Sequence, residues 1–131
     1  MLLERDLTER VIGLAINVHK ELGPGLLESV YETCLGLELK QAGIPFMRQA
    51  PIPIVYHGTR LDTGFRADFL ISDDIIVEIK AIERLMATHE GQLLTYLRMS
   101  GCQVGLLLNF NAVRLKDGLR RLVRSHQIEP V

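Results

Sequence analysis

The chain has no tryptophan, 5% aromatic residues and two cysteines. So few rings leave little surface on which nucleic-acid bases could stack. Cys34 and Cys102 stand far apart and in no zinc-binding spacing, which argues against a disulfide framework or a zinc ribbon and suits a reducing compartment. No apolar run approaches the length of a membrane span. The opening Met1-Leu2-Leu3-Glu4-Arg5-Asp6 lacks a signal-peptide layout, so a cytoplasmic protein is expected. Neither sign of charge prevails: 15 Lys and Arg stand against 16 Asp and Glu, and the net value of −1 selects no class of partner.

What is present is a chain of 131 residues, 47% of them hydrophobic, which suits one globular domain. Its charge is locally uneven. From Arg60 to Glu90 seven acids face four bases, whereas from Asn111 to Val131 five bases face two acids. An acidic centre beside a basic flank fits a metal-dependent enzyme acting on a polyanion, although solvated surface charge gives the same imbalance.

Asp6 and Glu9 have the spacing of a capping box, and Val11, Ile12, Ala15, Ile16 and Val18 recur at helical intervals, predicting a helix to about residue 22. His19 on that helix is expected to pack rather than to ligate. Gly23-Pro24-Gly25 breaks the helix, and a second is expected over residues 26–42, with Glu28, Tyr31 and Leu35 on nearly one face and Gly43 at its end. Residues 46–56 read as an extended segment confined to an edge by Pro51 and Pro53. His57-Gly58-Thr59 marks a hairpin turn, residues 61–71 a second strand, Ser72-Asp73-Asp74 another turn and residues 75–81 a third strand. A third helix, from residue 86 or 88 to 100, puts Gln92 and Tyr96 on one face and Leu93, Leu94, Leu97 and Met99 toward the core. Residues 103–110 form an apolar, buried strand reached by a right-handed crossover. Residues 112–116 are expected as a final edge strand and 119–126 as a short basic helix or tail.

The chemistry concentrates in the hairpin from Phe65 to Lys80. Alternation along a strand puts Glu78 and Lys80 on one side and Val77 and Ile79 on the other, with Asp68 on the preceding strand. Ile75-Ile76-Val77-x-Ile79 is apolar enough for a central strand, where charged groups are rare unless paired or bound to metal. Two carboxylates can hold a divalent cation, and a lysine beside them can position a water or steady a developing negative charge. The same three residues could instead be salt-bridged on the wet face of an edge hairpin.

Helix, helix, three meandering strands, helix and strand follow in order. With Glu28 on a helix, Asp68 on the second strand, Glu78-Ile79-Lys80 on the third and Gln92-x-x-x-Tyr96 on the next helix, the chain resembles the PD-(D/E)XK nuclease superfamily. Gly25-Leu26-Leu27-Glu28-Ser29-Val30-Tyr31 is similar to the signature of one branch, the small bacterial GxxExxY proteins. The resemblance spans roughly residues 11–110. It implies an α/β, restriction-endonuclease-like core, a mixed sheet of four to five strands flanked by helices. It further implies that Asp68, Glu78 and the backbone carbonyl of Ile79 ligate Mg²⁺ or Mn²⁺, with Glu28 adding a ligand directly or through water. Lys80 would orient or activate the attacking water or stabilise the developing charge. Gln92 and Tyr96 match the QxxxY motif of RecB-like members, and with Tyr31 would brace the site or contact the substrate. Ala67 departs from the proline of the motif's name but leaves the ligands untouched.

The function so implied is metal-dependent hydrolysis of phosphodiester bonds in nucleic acid, DNA before RNA. No recognition helix is evident, so contact with both strands of a duplex would need a homodimer or a partner protein. The competing expectation is a nuclease-fold module that binds nucleic acid or a partner protein without turnover. A third makes the carboxylates a structural ion-pair cluster whose lysine only keeps buried acids paired.

Overall fold

A computed structural model describes residues 3–62 and 64–124. Helices α1 (Leu3–Leu22) and α2 (Glu28–Gln41) come first, then strands β1 (Phe46–Pro51), β2 (Ile54–Tyr56), β3 (Thr59–Leu61), β4 (Arg66–Ile71) and β5 (Ile75–Lys80). Helix α3 (Ala87–Ser100), strand β6 (Val104–Asn109), a 3-10 turn (Leu115–Gly118) and strand β7 (Leu119–Val123) complete the chain. The main sheet has the order β1-β4-β5-β6-β7, and β2 pairs with β3 in a separate small hairpin. Only β5 and β6 are parallel, with Ile75 opposite Val104 and Lys80 opposite Asn109; the remaining neighbours are antiparallel. The fold is therefore the mixed α/β, nuclease-like arrangement that the sequence implied.

Alternation along β5 sorts its side chains into two cores. Ile75, Val77 and Ile79 face α1 and α2 together with Phe69, Leu106 and Leu108, against Val11, Ala15 and Leu35. Ile76 faces the other way with Leu107, against Leu93, Tyr96 and Leu97 of α3. Every residue of β6 is buried, as its unbroken apolar run requires of a central strand. By parity Glu78 and Lys80 belong to the α3 side.

Several expectations are corrected. The first helix begins at Leu3, which puts Asp6 inside its first turn rather than at its cap. The extended segment 46–56 is two strands, and segment 61–71 is likewise divided between β3 and β4, because the β2–β3 hairpin leaves the main sheet. Residues 112–116 form no strand; they turn into the 3-10 segment. Residues 119–123, expected as helix or tail, are strand β7, while 125 and 126 lie outside the described residues. The reason is that β6 offers a free row of backbone donors and acceptors on its outer side, and five residues gain more by pairing with it than as an isolated helical turn. Leu94, expected in the core, is 41% exposed.

Helix α3 sits very close to β6. A Cβ added at Gly105 would lie 2.8 Å from Cγ and Cδ2 of Leu93. This close approach seats α3 over the face that carries Glu78. Gly105→Ala is expected to lower stability by about 1–3 kcal/mol through overpacking, as measured by urea unfolding; an unchanged midpoint would contradict the packing described.

Candidate active site

Strands β4 and β5 remain in register down to the pair Phe69 and Val77. Beyond it the side chains take over the backbone's role. Asp68 N–H donates to Glu78 Oε2 at 3.0 Å, and Ile79 N–H donates to Asp68 Oδ2 at 2.7 Å. Each carboxylate thus accepts the amide of the opposite strand, satisfying donors that would be costly to bury unpaired. Lys80 O accepts Phe110 N–H on the β6 side at 2.8 Å. Since backbone groups alternate along a strand, the Ile79 carbonyl is directed to the opposite edge, toward Asp68.

Glu78 is buried at 7% exposure. Burial, and then the negative charge of Asp68, push its carboxyl from the ordinary 4.5 up to about 7; the Asp68 amide and Lys80 pull the other way, and Glu28 adds a smaller upward push. Burial also raises Asp68, against the hydrogen bonds from Ile79 and Gln49. Lys80 is half-buried and acts on both carboxylates through its charge, without a direct ion pair among the described residues. Glu28, the first residue of α2, is exposed, and its Oε2 accepts Ala81 N–H at 3.1 Å, just past the end of β5. Asp68, Glu78, Lys80 and Glu28 are therefore brought to one strand end.

Tyr96 is buried on the α3 side with Ile76 and Leu107, and its phenol is raised by burial first and then by the charges of Glu78 and Asp68. Gln92 is exposed one turn earlier on α3. Tyr31 serves differently. Its hydroxyl donates to Gly23 O at 2.6 Å and accepts Leu26 N–H at 3.1 Å, while its ring stacks on Phe110 at 4.5 Å. It pins the loop that delivers Glu28. His19 packs as expected, with Nε2 2.8 Å from Ala112 O. Asp73 and Asp74 form the β4–β5 turn.

Two site residues escaped the sequence. Gln49 lies opposite Asp68 on β1 and has a φ of 52°, left-handed within a strand. Its Nε2 donates to Asp68 Oδ1 at 3.2 Å and to Glu32 Oε2 at 3.0 Å, and Arg48 Nε also reaches Glu32 at 3.2 Å. Glu32 could have been found as the residue four after Glu28 on the same helix. Nothing local marks Gln49.

Among the described residues, no three His, Cys, Asp or Glu side chains converge closely enough to hold a metal by themselves. Mg²⁺, however, commonly takes one or two carboxylates and completes its shell with water. The donor set fits such an ion, since two carboxylates forced together by burial, with a backbone carbonyl directed between their strands, gain from a shared cation.

A mixed sheet whose central strand ends in a buried carboxylate and a lysine, with an aspartate on the adjoining strand, is the framework of the restriction-endonuclease-like class. The model of the PD-(D/E)XK nuclease superfamily matches residues 5–122, and the chain belongs to that superfamily. Its members are usually nucleases and generally use divalent ions such as Mg²⁺. No curated protein and no solved structure matches the chain. No helix among the described residues is long and apolar enough to cross a membrane.

The raised Glu78 ties stability to pH. Because the folded carboxyl holds its proton up to about 7 and the unfolded one only to 4.5, this contribution is full below pH 4.5 and is lost as pH rises to 7. The loss is on the order of 3 kcal/mol. In EDTA, Glu78→Gln should flatten the decline between pH 5 and pH 8 in urea titrations. Parallel pH profiles for variant and wild type would disprove the shift.

Proposed function

We propose that the protein is a divalent-metal-dependent nuclease that hydrolyses phosphodiester bonds in nucleic acid, DNA in preference to RNA. The supporting observation is the reciprocal Asp68–Glu78 pair with Lys80 on the same strand face. In this proposal Asp68, Glu78 and the Ile79 carbonyl hold Mg²⁺ or Mn²⁺, and Glu28 contributes through water. A bound ion of this kind supplies Lewis-acid stabilisation and a water of lowered pKa. The chain supplies the rest by positioning and charge. Lys80 holds the attacking water or steadies the negative charge that develops on the phosphorus oxygens. Tyr96 closes the α3 side against bulk solvent. Gln92, exposed on the same helix, reaches toward the substrate strand as the QxxxY pattern implies. The Gly25-x-x-Glu28-x-x-Tyr31 pattern acts as a unit and supports membership of the GxxExxY branch: Tyr31 fixes the loop and Glu28 is delivered by it. A single domain covering the whole chain, with cytoplasmic residence, completes the proposal.

A second reading, a binding module without turnover, draws on the lack of a third convergent acid among the described residues. Thermal unfolding with and without Mn²⁺ or Mg²⁺, beside cleavage of plasmid and single-stranded DNA, separates the two. An ion at a hundred times its Kd stabilises the native state by about 2.7 kcal/mol. Wild type and Lys80→Ala should show that stabilisation and Asp68→Asn should lose it. Cleavage should fall at least about 100-fold in both variants. Metal stabilisation without cleavage of any polynucleotide would select the binding module, and no stabilisation at millimolar ion would refute the metal site.

A further inference from the structure

Parallel strands deliver their C-terminal ends to one edge of a sheet, and here Lys80 and Asn109 end β5 and β6 side by side. The end of β5 carries the carboxylate site. The chain leaving β6 borders a cavity of about 520 Å³ against the end of α1. Buried Leu115 and His19 and half-buried Ile16 form its floor. Exposed Lys20, Arg114 and Lys116 stand around it beside Pro24 and Val113, the last 85% exposed. No acidic side chain borders it among the described residues.

The walls of this cavity are tied down, and its border at Gly23 and Pro24 belongs to the loop that runs on to Glu28. The His19–Ala112 contact at 2.8 Å ties the segment after β6 to α1. Tyr31, stacked on Phe110, holds Gly23 at the cavity's border by its hydroxyl. The same loop ends at Glu28, whose carboxylate caps Ala81 at the end of β5. A polyanion crossing from the carboxylates past this loop meets three cations and an apolar floor.

We propose that the cavity is a nucleotide-binding subsite for single-stranded nucleic acid, resting on the nuclease proposal above. A nucleobase lies on Ile16, His19 and Leu115, and the flanking phosphates meet Lys20 and Lys116. The volume falls within the roughly 300–1,000 Å³ of pockets that take small organic ligands. The base must come out of its stack to enter, because in a duplex its faces are covered by its neighbours; an unpaired strand presents it freely. An aliphatic and imidazole floor also gives a chain without tryptophan a place for a base. Arg114 is paired with Asp117 at 3.4 Å, so the two lysines carry the phosphate contacts.

The test is fluorescence anisotropy of a labelled single-stranded oligonucleotide in EDTA, which prevents turnover, titrated over a range of salt. Wild type is compared with the Lys20→Ala/Lys116→Ala double variant and with Val113→Asp, all at exposed positions that folding does not need. The double variant should bind at least about tenfold more weakly, and its log–log salt slope should be shallower by roughly 0.7 per lysine. Val113→Asp should weaken binding as well, and a hairpin duplex of the same sequence should bind less tightly than the open strand. Wild-type binding and Mg²⁺-dependent cleavage left unchanged in the variants would overturn the subsite while the nuclease proposal stands. A duplex bound as tightly as the single strand, with the same lysine dependence, would overturn the single-strand assignment. Polyglutamate bound at these lysines with no oligonucleotide bound would replace it with an acidic protein partner. Neither binding nor cleavage by the wild type would remove both proposals together.

Discussion

The exchange of hydrogen bonds between Asp68 and Glu78 is the constraint on which the rest of the site depends. At the point where β4 and β5 stop pairing through their backbones, each carboxylate accepts the other strand's amide. A buried acid and a half-buried one are thereby held together, at an electrostatic cost visible in the elevated Glu78. A sheet normally avoids such an arrangement, because burying a charge without a partner is among the most expensive things a fold can do. Its presence shows where local stability has been given up, as is common where chemistry is carried out.

A second tension surrounds it. Gln49 holds a left-handed backbone inside an edge strand, a conformation costing a non-glycine residue roughly 1–3 kcal/mol. What offsets it is an amide that bridges Asp68 to Glu32 and a carbonyl that accepts Arg66 Nη1 at 3.3 Å. Through this bridge α2 and β1 both bear on the orientation of one carboxylate. Both acids are fixed by a backbone amide of the facing strand, and the one on β4 is held in addition by a relay of side chains.

The part of this that was legible in the sequence is the part governed by rigid local rules. Parity along a strand put Glu78 and Lys80 on one face, and apolar runs marked β5 and β6 as central. The motif order picked out Glu28, which the structure brings to the end of β5, and Tyr96, which lies in the core on the α3 side. Gln49 and Glu32 could not be read, because their meeting joins a helix to an edge strand and has no local signature. The segment 112–123 was misread for a related reason. A short run with leucines and arginines has no strong preference of its own, and the unpaired side of β6 decides it. Tyr31 was read on the right face but its work is to hold a loop, a function that only the Gly23 and Leu26 hydrogen bonds disclose.

The turn between β4 and β5 has a further consequence. Ser72 and Asp73 both take left-handed conformations, with φ of 52° and 57°, and Asp74 N–H closes on Ile71 O at 3.0 Å. These are the marks of a primed turn, and with Ile71 opposite Ile75 it closes a three-residue loop between β4 and β5. Asp68, Glu78 and Lys80 therefore come together through a small loop, and such hairpins form in about 1–10 μs. The loop-closure entropy of uniting them is small compared with that of bringing in Glu28 from 53 residues away. The three residues at the centre of the site make up one contiguous piece of chain, assembled by neighbours in sequence, and the long-range fold serves to enclose it.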